Sequence, residues 1–467
     1  MCITNSKFVT NIIPTYIMKK MAIVIALLAS AILLQAQTNP AITSWLQNTN
    51  GAKGRHYVNG NFTPINDNDS VNVQTVLYSA TWSYIRTKGI PSYVTGPFLG
   101  GNPSNASDQN AIFKFPLSPV QNMGAPVNTT GGNIGVFING VALFDYRDGV
   151  SWKDATQALA GGPIPGGPGD GVWNRDAVVA ERGGFDCAKG HPAMGNYHHH
   201  QNPSAFKLDL VVISTICSLY DADGLYVIDS LQHSPLIGFT YDGFPIYGAY
   251  GYKNTNGTGG IVRMKSSYNK RNINTRTQYA DGTIVTPGPA VNATYPIGYF
   301  REDYEYIPTV NSDYLDEHNG RFCVTPEYPS GIYCYFATVD QNWNSAYPYV
   351  VGPTFYGVKS AANVASIGEA VSTYIPSFVS DNVNERINVT VFPNPSSDLV
   401  VIQVNHLTKE NIYIDLYDVK GQLVQNTILF QGSTIAYFDT KTLYSGEYFI
   451  KMSNGTEVLN KRITIVK

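Results

Sequence analysis

Short runs in which apolar and polar residues alternate dominate this chain, and Gly, Pro and Asn-Gly breaks separate them. Alternation with a period of two predicts β-strands that bury one face against a core. The clearest runs are "VNVQTVLYSATWSYI", "IGVFINGVALF", "KLDLVVIST", "TYPIGYF" and "YPYVVGP". Helical periodicity is sparse, and its best candidate is "DGVSWKDATQALA", residues 148–160. The sequence therefore predicts a predominantly β fold that is sandwich-like and irregular.

The pattern changes character after residue 360. Residues 361–387 lose the aromatic density of the preceding chain, which is typical of a linker. Beyond them a compact set of alternating runs has the size of a small sandwich. We therefore expect a β-rich main domain over 38–360, a linker over 361–387 and a small C-terminal β-sandwich domain over 388–467.

The N-terminus predicts a secretory signal peptide over residues 1–36. Lys19 and Lys20 precede an apolar run, and the small residue Ala36 stands where cleavage is expected. Met18 is an alternative true start of translation. No later segment is long and apolar enough to cross a bilayer, so we expect no transmembrane segment in the mature chain.

Composition supports a secreted β-rich protein. Charged residues make up 14% of the 467 residues, well below the usual quarter, while the chain holds 32 Tyr and 43 Gly. Its length leaves room for more than one domain. The formal net charge of −3 gives no basis for nucleic-acid binding.

Four cysteines remain once the signal is removed: Cys187, Cys217, Cys323 and Cys334. An even number in an oxidising compartment favours disulfides. Cys323 and Cys334 flank a Pro/Gly turn between strand-like runs, so they can pair across a hairpin and leave Cys187 with Cys217. Four cysteines allow three connectivities, and the sequence does not choose among them. A thiolate metal site at Cys187 is the alternative.

The segment "HPAMGNYHHHQNP", residues 191–203, holds four of the eight histidines. In a strand His198 and His200 project to one face and His199 to the other, so the first two can converge on one ion. His191 can supply a third nitrogen if the chain folds back across "PAMGN". Three neutral imidazoles suit copper or zinc. The alternative is a hydrogen-bonded cluster without metal.

The segment "DCAKGHPAMGNYHHHQNP" resembles the YHYH domain family, named for a Tyr-His-Tyr-His run. Tyr197, His198 and His200 match that run, whereas His199 replaces its second tyrosine. The stretches "GGNIGVFINGVALFD", "SPLIGFTYDGFPIYGAYG" and "LDEHNGRFCVTPEYPSGIYCYFAT" extend the resemblance over about Ile90 to Pro353. The family is defined by its motif and not by an established reaction, so the resemblance marks these histidines as its signature and implies little about activity.

The C-terminal runs resemble the sorting domain of type IX secretion substrates. The resemblance is carried by "PNPSSD", "YDVKGQLV", "LYSGEYFIK" and a basic terminal strand. It implies handling by the type IX secretion machinery, passage through the periplasm, and release or attachment to the outer cell surface.

Three classes of function remain open at this stage. The first is a secreted or surface protein that binds copper or zinc through His191, His198 and His200, with Tyr197 and Asp242 as candidate residues around the ligands. The second is a non-catalytic adhesion protein that binds a surface glycan or protein. The third is a metal-dependent enzyme, either a redox enzyme or a hydrolase, since a metal lowers the pKa of bound water. No Gly-x-Ser-x-Gly elbow supports a serine hydrolase.

Overall fold

A computed structural model describes residues 38–49, 51–99, 104–162, 167–203, 229–376, 389–404, 408, 410–454 and 458–467. The predicted signal peptide and the run "KLDLVVIST" lie outside these residues. Within them the chain is mostly strand. The helices are short: α1 (Pro40–Thr43) and α2 (Ala177–Ala180), with 3-10 turns at Asp154–Thr156, Arg182–Gly184 and Arg301–Asp303.

The strands before residue 377 are β1 (Lys53–Val58), β2 (Asn61–Ser70), β3 (Val73–Tyr78), β4 (Trp82–Thr87), β5 (Ala111–Pro116), β6 (Val127–Asn128), β7 (Asn133–Phe137), β8 (Ala142–Phe144), β9 (Arg147–Lys153), β10 (Ala158–Gly161), β11 (Asn174–Asp176), β12 (Gly190–Ala193), β13 (Asn196–His199), β14 (Leu236–Thr240), β15 (Pro245–Tyr247), β16 (Tyr250–Tyr252), β17 (Ile261–Arg263), β18 (Tyr268–Lys270), β19 (Tyr304–Tyr306), β20 (Gly320–Cys323), β21 (Ile332–Phe336), β22 (Thr354–Phe355), β23 (Ala362–Asn363) and β24 (Ser372–Tyr374). The strands after residue 388 are β25 (Val389–Phe392), β26 (Leu399–Val404), β27 (Ile412–Asp418), β28 (Leu423–Leu429), β29 (Ile435–Asp439), β30 (Gly446–Ser453) and β31 (Val458–Ile465).

The two largest sheets of the main domain contribute to its core. An eight-stranded sheet has the order β12-β13-β8-β7-β14-β15-β21-β20, and a five-stranded sheet has the order β23-β5-β4-β3-β24. Apolar side chains of both sheets share one core, in which the rings of Phe115 and Phe239 lie 6.0 Å apart and Trp45 contacts both. This arrangement confirms the sandwich-like β prediction, because each sheet buries one face against the other.

The runs "VNVQTVLYSATWSYI" and "IGVFINGVALF" form strands as predicted, namely β3 with β4 and β7 with β8. The predicted helix over 148–160 is wrong: β9 and β10 pair there as a hairpin. Gln157 has φ +50°, which no helix accommodates, and Trp152 is buried beside Trp173 and Phe300. Tertiary packing therefore overrides a weak local helical preference.

Two other predicted runs, 294–300 and 347–353, contain turns and no strand. Both still carry buried aromatic residues, Phe300 in the first and Tyr347 in the second. The apolar residues of these two runs therefore indicate burial and not regular secondary structure.

The predicted linker is wrong in its first part. Strand β23 pairs with β5, and β24 pairs with β3, so residues 362–374 complete both edges of the five-stranded sheet. The Tyr84 hydroxyl donates a hydrogen bond to Glu369 in the segment between them. Edge strands are held by backbone hydrogen bonds, which need no aromatic pattern in the sequence.

The C-terminal residues form a β-sandwich, as the sequence predicts. A three-stranded sheet, β25-β26-β29, and a four-stranded sheet, β28-β27-β30-β31, contribute to one core. Ile402 from the first sheet and Leu416 and Ile450 from the second are fully buried in it.

The predicted disulfide between Cys323 and Cys334 does not form in the structure, where both are buried free thiols. In the β20–β21 pair Cys323 faces Ile332 and Cys334 faces Arg321, so the cysteines are diagonal neighbours. The two thiols are hydrogen-bonded to each other instead. Cys187 is disulfide-bonded. Cys217 lies outside the described residues, so its pairing with Cys187 stays a prediction.

A buried ion pair organises the poorly regular segment 271–303. The Arg276 guanidinium donates to both carboxylate oxygens of Asp303 at 2.7 and 2.8 Å and to the carbonyls of Pro289, Tyr295 and Pro296. Both side chains are fully buried. These bonds satisfy loop carbonyls that a sheet would otherwise pair.

We expect Arg276→Leu to lower the free energy of unfolding by about 3–5 kcal/mol, because it leaves the Asp303 carboxylate buried without its cation. Urea unfolding followed by tryptophan fluorescence measures this loss. The control Lys88→Met breaks a more exposed pair with Asp108 and should cost about 1 kcal/mol or less. Equal effects of the two substitutions would contradict the assigned role of Arg276.

Candidate metal centre

A tight hairpin brings the predicted histidines together. Strands β12 and β13 are joined by the two residues Met194 and Gly195, whose φ angles are +50° and +84°. Positive φ at both loop positions is the type I′ geometry that suits the twist of a hairpin. The resulting register places His191 directly opposite His198. His200 follows β13 by one residue and points to the same side as His198.

The imidazole nitrogens converge on one point. The Nε2 atom of His200 lies 3.1 Å from that of His198 and 3.5 Å from that of His191. One nitrogen from each of the three rings lies within 4.8 Å of the others. A tetrahedral ion with metal–nitrogen bonds of about 2.0–2.1 Å separates its ligand atoms by about 3.3–3.4 Å. The observed spacing therefore fits a single small ion.

Backbone carbonyls orient two of the rings. Nδ1 of His198 lies 2.8 Å from the Asn196 carbonyl, and Nδ1 of His200 lies 2.6 Å from the Asp145 carbonyl. A carbonyl only accepts, so both Nδ1 atoms carry the proton and donate. In the neutral rings the two Nε2 atoms then present lone pairs to each other across 3.1 Å. A cation between them removes this repulsion, as in metal sites whose histidines are held by outer hydrogen bonds.

Aromatic walls enclose the cluster. The Phe144 ring stacks on His198 at 3.8 Å, and the edge of Phe185 meets His191 at 4.8 Å. His191, His198 and His200 are only 9%, 2% and 4% exposed. This burial lowers the pKa of His198 well below its ordinary value and that of His200 to about 4. Both rings are therefore neutral at neutral pH and able to act as ligands.

Glu181 is a neighbour that the sequence analysis missed. Its Oε2 atom lies 3.3 Å from Nε2 of His191 and 3.5 Å from Nε2 of His200. Burial tends to raise the pKa of Glu181, but the hydrogen bond with His191 and the charges of His200, His191 and Arg175 lower it overall. Glu181 follows α2 in "VVAERGG", which carries no recognisable ligand spacing. Only the tertiary path of the chain points to it.

The two residues that we expected around the ligands lie elsewhere. Tyr197 is on the opposite face of β13, where its hydroxyl donates to Asp186 at 2.8 Å. The Asp242 carboxylate accepts from Tyr335 at 2.6 Å, from the Gly357 amide and from Thr240, and so holds a turn. The carbonyls of Asn196 and Asp145 take the orienting role instead. Every residue has a main-chain carbonyl, so the residue types of a sequence do not indicate which carbonyl orients a ring.

His199 is not part of the cluster. It faces the same side as Tyr197, and its Nε2 atom lies 2.8 Å from the Tyr93 hydroxyl. Its ring meets Phe137 and Tyr197 edge-on in the core. Because side chains alternate between the two faces of a strand, His199 points into the core whereas His198 and His200 lie on the other face, as the sequence indicates.

The fold and the site define a β-rich domain with a three-histidine cluster on one hairpin, followed by a C-terminal β-sandwich. The chain belongs to the YHYH protein family, whose match covers residues 112–348 and includes the whole hairpin. A secretion system C-terminal sorting domain matches residues 390–466. The chain is therefore a secreted or cell-surface protein with a tail of the kind that the type IX secretion system handles.

Other comparisons add little. No curated protein matches the chain. A solved structure of a DUF3244 family protein from Bacteroides vulgatus, described as an immunoglobulin-like β-sandwich, is 18% identical over 16% of this chain and 81% of its own, with a TM-score of 0.15. That score is too low to support an argument. Among the described residues no helix is long and apolar enough to span a membrane.

We expect Gly190→Ala to destabilise the hairpin by about 1–3 kcal/mol, since the core cannot absorb the added methyl group without strain. A Cβ at Gly190 would lie 2.4 Å from the ring and hydroxyl atoms of Tyr197 and 2.9 Å from His199. Thermal unfolding followed by circular dichroism measures the effect. Gly131→Ala is the matched control, because a Cβ there meets no atom within 4 Å. A parent-like melting temperature for Gly190→Ala would contradict the packing described here.

Proposed function

We propose that this secreted or cell-surface protein binds a transition metal, copper or zinc, through His191, His198 and His200. The observation that carries the proposal is the convergence of three buried imidazoles, in which Nε2 of His200 lies 3.1 Å from that of His198 and 3.5 Å from that of His191. Two of these rings already have their protons committed to backbone carbonyls. A purely structural cluster would gain more from donor–acceptor pairs than from facing lone pairs.

The donor set is consistent with both metals. Three neutral imidazoles suit zinc in a tetrahedral site and copper in several geometries. The rings are almost completely shielded from water. The role of the ion, structural or chemical, is a separate question that metal content alone does not answer.

The first test is elemental analysis of the purified chain without an affinity His tag. We expect near-stoichiometric copper or zinc in the parent protein and its loss in His198→Ala/His200→Ala, because the double substitution removes two of three ligands. His318→Ala is the control, since His318 lies apart from the cluster against Thr354. Circular dichroism must show that the double variant is folded. A metal-free parent, even after incubation with both ions, would refute the proposal.

A second candidate function is glycan binding at an aromatic cavity. A cavity of about 340 Å³ is lined by residues that include Tyr268, Tyr279, Tyr304, Tyr347 and Arg301. The rings of Tyr304 and Tyr347 stack at 3.8 Å with an interplanar angle of 5°. Cavities lined by aromatic side chains with a few polar groups are typical of small-ligand sites, and the ring faces that are not stacked on each other suit the apolar faces of sugars.

We expect the parent chain to bind at least one immobilised oligosaccharide in a broad panel, and Tyr304→Ala to lose that signal about tenfold or more, because it removes one aromatic wall of the cavity. Tyr444→Ala is the control, since Tyr444 is an exposed tyrosine of the C-terminal sandwich. Absence of binding by the parent, or equal binding by both variants, would exclude glycan recognition at this cavity.

A further inference from the structure

Glu181 occupies the position of a fourth ligand. Four distances relate it and the histidine nitrogens: 3.1 Å between His198 and His200, 3.5 Å between His191 and His200, 3.3 Å from Glu181 to His191 and 3.5 Å from Glu181 to His200. These are four of the six ligand–ligand edges of the site, and they are close to the edge of about 3.3–3.4 Å expected in a tetrahedron around a zinc-sized ion, while the nitrogens of His191 and His198 lie within 4.8 Å of each other.

The surroundings leave the carboxylate available. Within the described residues the ion pairs of Glu181 are those with His191 and His200. Arg175, whose charge acts on Glu181, is itself paired with Asp148. The side chain of Glu181 is 23% exposed, more than those of His191 and His200 at 11% and 3%. No lysine or arginine among these residues competes with a metal for its Oε2 atom.

Resting on the metal-binding function proposed above, we propose that Glu181 is the fourth ligand and closes a three-histidine, one-carboxylate site for a divalent ion. A carboxylate is a hard donor that favours Zn²⁺ and similar ions, whereas Cu(I) favours soft sulfur donors and tolerates imidazole. Glu181 also reduces the net charge of the bound divalent centre, which lowers the cost of burying it. Four protein ligands leave no open position, as in structural zinc sites, and so argue against activation of a bound water.

The test measures the affinity of the full chain for Zn²⁺ and Cu(I) by competition with chelators. We expect Glu181→Gln to weaken Zn²⁺ binding at least about tenfold while Cu(I) affinity changes by less than about threefold. Glutamine keeps the size of the side chain and removes its charge. Glu317→Gln is the matched control, because Glu317 also lies beside a histidine, His318, at 3.9 Å but outside the cluster.

Cobalt substitution reports the coordination directly. We expect the Co²⁺ form of the parent to show the intense visible absorption of four-coordinate cobalt, unchanged by azide, because no position is open. In Glu181→Gln the freed position should accept azide and change the spectrum. If Glu181→Gln does not fold, Glu181→Asp serves in its place, since a side chain shorter by one methylene withdraws the carboxylate from the ion.

The outcomes separate the two proposals. If Glu181→Gln binds Zn²⁺ as tightly as the parent and azide changes the parent spectrum, Glu181 is not a ligand, while the three-histidine site stands. If the parent binds neither Zn²⁺ nor Co²⁺ nor Cu(I), the proposed metal-binding function fails and the role of Glu181 fails with it.

Discussion

The register of one hairpin is the constraint on which the site depends. Pairing of His191 with His198 follows from a two-residue loop between β12 and β13, and a slip by one residue would turn His191 to the opposite face. Gly190 lets the strands approach because Tyr197 and His199 fill the space where its side chain would be. Parallel pairing of β13 with β8 then brings the Asp145 carbonyl to His200. The three-histidine cluster is thus a consequence of strand register.

In this irregular fold, buried carboxylates accept hydrogen bonds from backbone amides. In a simple sandwich, regular hydrogen-bonded ladders between strands satisfy such groups. Asp186 accepts from the amides of Ala188, Gly190 and Gly96 and from the Tyr197 hydroxyl, and it ties the loop before β12 to the hairpin. Burial raises the pKa of Asp186 to about 7, which shows how completely the protein encloses it. Asp242 and Asp303 hold other turns in the same way. Long loops therefore stay ordered because each backbone donor finds a fixed acceptor.

The local sequence pattern predicts strands, which depend on the alternation of apolar and polar residues. It mispredicts features that depend on contacts with residues far away in the chain. The strands β3, β4, β7 and β8 and the C-terminal sandwich follow from period-two burial. The hairpin over 148–160 looked helical, because the packing of Trp152 against Trp173 lies outside that window. Cys323 and Cys334 looked like a disulfide pair, but they are diagonal neighbours that remain free thiols. Two apolar runs proved to be buried turns, since apolar residues also anchor loops.

The sequence by itself determined the class of fold, the secreted destination marked by the C-terminal domain, and the placement of His198 and His200 on one side of an extended segment. These properties rest on neighbours in the chain, where alternation of side chains is set by backbone geometry. The tertiary structure alone decided that Glu181 joins the cluster, that main-chain carbonyls orient the rings, and that Tyr197 and Asp242 do not. Those contacts bring together residues from separate elements, and only packing specifies which of them meet.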